Sequence, residues 1–297
     1  MRPRPDGSAG GSAGGSAGGP ALFVVATPIG NLLDVTLRAL AVLRAVDVVL
    51  CEDTRRTLIL LERHGITKPL QSVHRFNEEK IAEHVIERLR DGLSAAYVTD
   101  GGTPAVSDPG ARLVENVRRA GFPVVAVPGA SAVTAAMSVA GWEGGFVFAG
   151  FVERRETARR RQIEGALRLP WASVFFEAPS RVRETLRTIE AVCGDRPILM
   201  AREMTKLHEQ VVKAPARHVL AALDVDVRGE VVLVVFPGGG GRRESIPTGA
   251  DLGRAVRACR EMTAAGVKPM KAAAIAAALT GIPKKTLVAL LVSSPRP

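Results

Sequence analysis

Cysteine is scarce in this 297-residue chain: Cys51, Cys193 and Cys259 are all it has. No two are close enough in sequence for a metal knuckle, and an odd number argues against a disulfide framework. The expected setting is therefore reducing and cytoplasmic. The five histidines are scattered, with no His-Glu-x-x-His and no Cys-x-x-Cys, so no metal site is expected. No apolar run approaches the roughly 20 residues of a membrane span. Gly, Ser and Ala, rather than a secretory h-region, follow the first basic residues. Nucleotide motifs are missing too. There is no G-x-x-x-x-G-K-[ST] phosphate loop, and no G-x-G-x-x-G follows the first strand-like run. Gly238–Gly241 comes nearest, but Arg243 stands where the third glycine belongs and no βαβ unit continues. No G-x-S-x-G elbow occurs. NTP hydrolysis, hydride transfer and serine hydrolysis therefore rank low.

What is present is a foldable, basic chain. Hydrophobic residues make up 46%, enough for a real core, and the length fits two domains with a small third unit. Forty basic residues against 30 acidic give a net charge of +10. Such a surplus fits a polyanionic partner such as nucleic acid, or simply a basic surface. GSAG repeats fill 7–18, so 1–20 is expected to be a flexible tail.

From Ala21 the pattern is α/β. Apolar runs at 21–26, 46–51, 94–99 and 122–127 read as buried strands. Helices are expected at 34–45 with Asp34 as N-cap, 54–64, 77–91 with Asn77 as N-cap, and 110–120, then from Ser131 to near Gly141. Alternation of this kind predicts a mainly parallel sheet covered on both faces, in a domain spanning 21–142. A second α/β domain, 143–237, has strands at 145–149, 172–177, 198–203, 209–213 and 229–236, with helices at 156–168, 180–193 and 215–223. A Gly-rich linker, 238–250, leads to an all-helical segment, 251–297. That segment carries eight basic residues, among them Lys284 and Lys285, against Asp251 and Glu261. Residues 272–291 read as a helix-turn-helix or as a plain solvated helical hairpin.

Three Gly- and Pro-punctuated loops follow strands: Thr27–Asn31, Asp100–Gly110 and Pro128–Ala132. Carboxyl ends of parallel strands are where open α/β sheets bind ligands. Glycine permits close backbone approach, and Asp100 and Asp108 could accept hydrogen bonds from ligand amines or hydroxyls. Any one of these loops alone could be an ordinary turn; together they point to a binding edge.

These loops also carry a resemblance. VATPIGN (25–31), EDTR (52–55), DGGTPAVSDPG (100–110), VPGASA (127–132), FFEAPSR (175–181), ARE-x-TK (201–206) and RGEVVLVV (228–235) occur in the order found in the ribosomal RNA small subunit methyltransferase I family. That family comprises 16S rRNA cytidine 2′-O-methyltransferases of the tetrapyrrole-methylase superfamily. The resemblance implies two α/β domains with S-adenosylmethionine (SAM) in the cleft between them, no metal, and commonly a homodimer. It also implies a cofactor site made of Pro28, Gly30, Thr103, Pro104, Val106, Ser131, Ala132, Phe176, Met204, Gly229 and Glu230. The chain departs from the family pattern at Gly101, Ala130, Arg56, Arg75, Phe76, Phe176 and Ser180.

Methyl transfer to a ribose hydroxyl needs alignment and a proton acceptor. Candidates are Glu52, Asp53, Asp100, Asp108, Glu177, Glu203 and Lys206, with no choice among them. Glu203 and Lys206 could equally be a surface ion pair, and the charges from Glu52 to Arg55 could serve a helix start. RNA contact is expected from Arg154, Arg155, Arg159, Arg160 and Arg161, from Lys284 and Lys285, and from Arg55, Arg56, His74 and Arg75 near the cleft. The run ERRETARRR (153–161) also fits a solvated helix face. A tetrapyrrole methyltransferase, or a non-catalytic RNA-binding assembly factor, remains an alternative.

Overall fold

The computed structural model describes residues 19–74, 77–224, 227–237, 249–280 and 282–292. They fall into two units, one up to Gly238 and one from Gly239. The repeats of the first 18 residues, Arg75, Phe76 and most of the expected linker lie outside the described residues.

The first sheet forms from short apolar runs. Strands β1 (Leu22–Val25), β2 (Val48–Cys51), β3 (Leu70–Ser72), β4 (Ala95–Val98) and β5 (Val124–Val127) lie in the order β3-β2-β4-β1-β5, all parallel. The runs are apolar throughout because both faces are covered. On one face, α1 (Leu37–Ala45) and α2 (Thr54–Arg63) bring Leu40, Leu43 and Leu61 against Val25, Val49, Ala96 and Val98. On the other, α3 (Glu78–Arg90) and α4 (Ala111–Arg119) bring Ile81, Val85, Leu113 and Val117 against Leu22, Leu50 and Tyr97. β3 was not expected: an edge strand of Leu-Gln-Ser carries no apolar run.

One expected cap is corrected and a second is borne out in position. Asp34 does not start the first helix. It ends a 3-10 turn, Leu32–Asp34, capped by Asn31, and α1 begins after Thr36, whose hydroxyl accepts the Ala39 amide at 3.1 Å. Asn77 is the N-cap residue of α3, as expected, and its carbonyl accepts the Ile81 amide at 2.9 Å, but its side chain joins the His74 amide (2.8 Å) and the Ser72 carbonyl (3.1 Å) rather than capping the helix.

The start of α4 is capped from another helix. Gly110, at φ 116°, has no side chain to offer, and a Cβ there would lie 2.2 Å from the Tyr97 ring. Buried Glu78, in the first turn of α3, accepts the amides of Gly110 (3.0 Å), Arg112 (2.8 Å) and Leu113 (3.0 Å) on one oxygen. A carboxylate there satisfies orphan donors and complements the helix dipole.

A helix α5 (Ala132–Ser138) leads to the second sheet: β6 (Phe146–Phe151), β7 (Ala172–Glu177), β8 (Pro197–Arg202), β9 (Gln210–Pro215) and β10 (Val231–Val235). Its order is β6-β7-β10-β8-β9; only β6 and β7 are parallel, so this sheet is mixed. Helices α6 (Glu156–Arg168), α7 (Val182–Cys193) and α8 (Ala216–Ala221) cover one face, around Ile163, Leu186 and Val219. Val133 and Ala136 of α5 pack on the other.

In the second unit, α9 (Gly249–Ala264), α10 (Pro269–Thr280) and α11 (Lys284–Val292) surround Cys259, Ala273, Ala276, Ile282 and Leu287. Proline at the first position of α10 suits a helix start. Among the described residues no helix is long and apolar enough to cross a membrane.

Replacing Glu78 by Ala strands three amides at the start of α4. A loss of about 1–3 kcal/mol in urea unfolding is expected, with Glu78→Gln recovering part of it because its amide oxygen still accepts. Equal stability of Glu78→Ala and the parent would show that the cap contributes nothing.

Candidate cofactor cleft

The chain leaves β1 through α1 on one face of the first sheet and leaves β4 through α4 on the other, yet β1 and β4 are neighbours. Such a switch point opens a crevice beyond the strands' carboxyl ends. The loops after β1, β4 and β5 meet there. Thr27 and Gly102 exchange amide–carbonyl bonds, both 2.9 Å, and the Thr27 hydroxyl reaches the Thr99 carbonyl at 3.1 Å. The Thr103 hydroxyl reaches the Ala130 carbonyl at 3.4 Å. A Cβ at Gly101 would lie 3.1 Å from the Pro28 carbonyl oxygen, so the two loops run close together there.

The central loop is held in an uncommon shape. Ala105 (φ 66°) and Ser107 (φ 67°) occupy the left-handed region, as do Glu203 (φ 51°) and Thr205 (φ 66°) in the loop after β8. Among the described residues these four are the non-glycine residues with positive φ. Each costs on the order of 1–3 kcal/mol, and such strain concentrates at ligand sites.

The two strained loops belong to one arrangement. The Asn31 amide donates to the Thr205 hydroxyl at 3.0 Å. Gly30 lies so close that a Cβ would sit 2.4 Å from Lys206 Cγ and 3.0 Å from the Met204 carbonyl oxygen. Gly229 (φ 83°) leaves room for the Glu203 side chain, whose Oε1 accepts Lys206 Nζ at 2.8 Å and the Glu230 amide at 3.2 Å. Lys206 also faces Glu230 at 3.6 Å. Burial works to raise the Glu203 pKa, but the bond and charge of Lys206, with the Glu230 amide and the Arg202 charge, together leave the group below its ordinary value. Burial works to lower Lys206, and Glu203 and Glu230 more than offset it. These two residues therefore serve first as each other's counter-ion.

The structure thus brings Pro28, Gly30, Thr103 and Met204 together, with Ser131 just past Ala130. Pro104 is buried and Val106 exposed. Ala132, Phe176 and Met204 pack against one cluster with Val133 and Val232. Acidic groups stand at the same edge. Asp100 accepts the Asp53 amide (3.1 Å) and faces Arg56 at 3.5 Å. Asp53 starts α2 and binds Arg55 at 2.8 Å, which holds its carboxyl at about 2. Burial pushes the Asp108 carboxyl up to about 6, and the charges of Glu52, Asp100 and Glu230 push it the same way. A small cavity of about 50 Å³ opens between Thr27, Pro28, Arg56 and Asp100. A larger one, about 320 Å³, lies elsewhere, among Gln71, His84, Glu87 and Arg88.

Two expectations are corrected. Glu177 is no base candidate: fully buried, it binds Arg181 (2.6 Å), the Ala178 amide (2.7 Å) and the Thr185 hydroxyl, and so ties β7 to α7. Arg159 is no phosphate contact. Its side chain is 6% exposed and binds the Thr188 hydroxyl, the Arg154 carbonyl and Glu184. Arg154, Arg155 and Arg161 are exposed, and Arg160 pairs with Glu164 at 2.9 Å. Arg55 and Arg56 are exposed but share their charge with Asp53 and Asp100. Lys284 and Lys285 are exposed in the first turn of α11. Asn31 and Thr205 are not among the site residues expected from sequence; what links them is a backbone amide donating to a side-chain hydroxyl between loops 174 residues apart.

Fold and cleft define a class. Residues 21–220 match the family of tetrapyrrole (corrin/porphyrin) methylases. Uroporphyrin-III C-methyl transferase from Thermus thermophilus, solved in complex with S-adenyl homocysteine, shares the fold at a TM-score of 0.53. It is 21% identical, over 72% of this chain and 96% of that one. Sequence relatives narrow the class. The ribosomal RNA small subunit methyltransferase I of Neisseria meningitidis serogroup B (strain MC58) is 43% identical over 92% of this chain and 93% of its own. That of Thermotoga maritima is 43% identical over 72% and 97%. The chain belongs to the ribosomal RNA small subunit methyltransferase I family, and it is a methyltransferase.

Because its folded pKa is about 6 against an ordinary 3.8, ionised Asp108 costs stability. That cost is absent below pH 3.8 and complete above about pH 6. Asp108→Asn should therefore unfold at higher urea than the parent at pH 8, and the gap should close at pH 4. A constant gap across that range would contradict the shift.

Proposed function

We propose that the protein transfers the methyl group of SAM to the ribose 2′-hydroxyl of a cytidine in 16S rRNA of the small ribosomal subunit. The observation that carries this reading is the convergence of the strained 100–110 and 203–206 loops with the 27–31 loop at the switch point. The residues there fit SAM. Open backbone at 27–31 and 100–110 and the apolar side chains of Val106, Ala132, Phe176 and Met204 suit an adenosine and a methionine chain, and nearby carboxylates suit a cation and ribose hydroxyls. Pro28, Gly30, Thr103, Pro104, Val106, Ser131, Ala132, Phe176, Met204, Gly229 and Glu230 would hold it. When bound, the cofactor supplies an electrophilic methyl on a sulfonium.

The protein's own task is then to align the hydroxyl and accept its proton, and alignment alone supplies several kcal/mol. Of Glu52, Asp100, Asp108, Glu203 and Lys206, Asp108 is the favoured acceptor. Glu203 and Lys206 neutralise each other at 2.8 Å, and Asp100 is engaged by the Asp53 amide and Arg56. A base whose pKa lies near neutrality is best placed to take a proton and release it. RNA would be held by Arg154, Arg155 and Arg161, by Lys284 and Lys285, and through the shared charges of Arg55 and Arg56. We also read the protein as a cytoplasmic homodimer, for which exposed Leu33, Leu37 and Leu207 offer apolar surface, with its two α/β domains divided at 142/143.

Labelled methyl from SAM should appear on unmethylated small subunits or free 16S rRNA as 2′-O-methylcytidine, and not on a tetrapyrrole precursor. Label only on the tetrapyrrole would overturn the reading. No label anywhere, with RNA still bound, would indicate an assembly factor. Changing Arg154, Arg155 and Arg161 to Ala should lower the slope of log K against log salt by up to about 0.7–0.9 for each arginine–phosphate pair removed. An unchanged slope would return that surface to ordinary solvation.

A further inference from the structure

The edge strand β6 does not run regularly to its end. Its register with β7 slips between Phe148 and Phe151, and Gly150 sits at φ 72°. This is a bulge, a device that re-aims a side chain. In a regular strand, residues three apart point to opposite faces. Here Phe148 and Phe151 both meet the ring of Phe176, at 4.8 Å and, edge-on, at 5.6 Å. The bulge has turned Phe151 onto the face of Phe148.

Its position matters more than its turn. The backbone at Gly150 lies against the central cleft loop: a Cβ there would be 3.7 Å from Ser107 Oγ. Phe151 therefore stands at the rim of the cleft, and it is 53% exposed. Its backbone is fixed, because Gln162 donates to the Phe151 carbonyl (3.3 Å), the Val152 amide donates to the Phe176 carbonyl (3.0 Å), and Arg181 donates to the Val152 carbonyl (3.2 Å). Exposed Arg154 and Arg155 follow within four residues. Among the described residues the other exposed aromatics, Phe146 and Trp171, lie at the opposite end of β6 and β7. An aromatic face held rigid beside arginines is the arrangement that binds an unstacked base of single-stranded RNA.

We propose that Phe151 is a stacking platform for a nucleobase of the RNA substrate, splayed out of its strand at the rim of the cleft, while Arg154 and Arg155 meet the neighbouring phosphates. The assignment rests on the rRNA reading above. A ribose whose base stays stacked in its helix cannot bring its 2′-hydroxyl into a crevice between two sheets, so the nucleotide must leave the stack. The ring restores part of that stacking. It accepts any base, so it positions the nucleotide without choosing it.

The test uses the full chain with Phe151→Ala, Phe151→Leu and Phe151→Trp, assayed on unmethylated small subunits. Stacking of one base corresponds to a roughly 5- to 150-fold effect. The Ala and Leu variants should raise KM for the subunits within that range, and Trp should stay within about twofold of the parent. SAM affinity by calorimetry and melting temperature should not move. A Leu variant that matches the parent would reduce the site to an apolar contact and overturn the proposal. So would a fall in SAM affinity with RNA binding preserved, which would make Phe151 part of the cofactor wall. A change in sedimentation mass with KM unaltered would give the ring to a second copy of the chain, again against the proposal. Filter binding of 16S rRNA without SAM separates this idea from the reaction itself. If the parent methylates no RNA but binds it, and Ala and Leu bind it more weakly than Trp, the platform stands and the methylation reading falls.

Discussion

One topological constraint organises this protein: neighbouring strands β1 and β4 send their chains to opposite faces of the same sheet. No helix can cover the space beyond their carboxyl ends, so that space remains open for a ligand. The crevice would exist with almost any loops. What these loops add is shape, because each is fixed by a short contact to the next. Thr27 pairs with Gly102, Thr103 with Ala130, and Asn31 with Thr205. The last of these joins the first sheet's loops to the loop after β8, so the site is built from both halves of the unit.

Holding that shape has a conformational cost. Four non-glycine residues with positive φ stand in two loops of the cleft. Such strain persists only where the surroundings fix it, and here the fixing contacts can be named. Glu203 is locked by Lys206 and the Glu230 amide, and glycine at 229 makes room for it. Thr205 accepts the Asn31 amide on its hydroxyl and donates its own amide to Glu209. Glu78, in another helix, fixes the far end of the central loop by capping α4. The Glu203–Lys206 pair is thus explained as a brace, which lessens its claim to be the proton acceptor.

Much of the fold was legible because burial on both faces writes strands as unbroken apolar runs; β2 and β4 have every position buried. β3 was illegible for the same reason, since a half-buried edge strand needs no such run. The start of α1 is ambiguous in sequence because Asn31, Asp34 and Thr36 are all capping residue types within six positions, and only geometry shows that the outer two are used. The burial of Arg159 does have a signal in the sequence. With Ile163 and Ala166 it makes the buried i, i+4, i+7 stripe of α6, a helical phase hidden by the density of arginine around it. The loops of the cleft were legible by residue type and position after strands. Their mutual contacts were not, since Asn31 and Thr205, or Gly229 and Glu203, meet only through the tertiary fold.

The central claim is that one ligand, held at the switch point, touches loops from both sheets. Hydrogen–deuterium exchange with and without SAM tests it directly. Slowed exchange is expected together at 27–31, 100–110, 128–132 and 203–206, with 84–91 around the larger cavity unchanged. Protection confined to one sheet's loops, or centred on 84–91, would contradict the account.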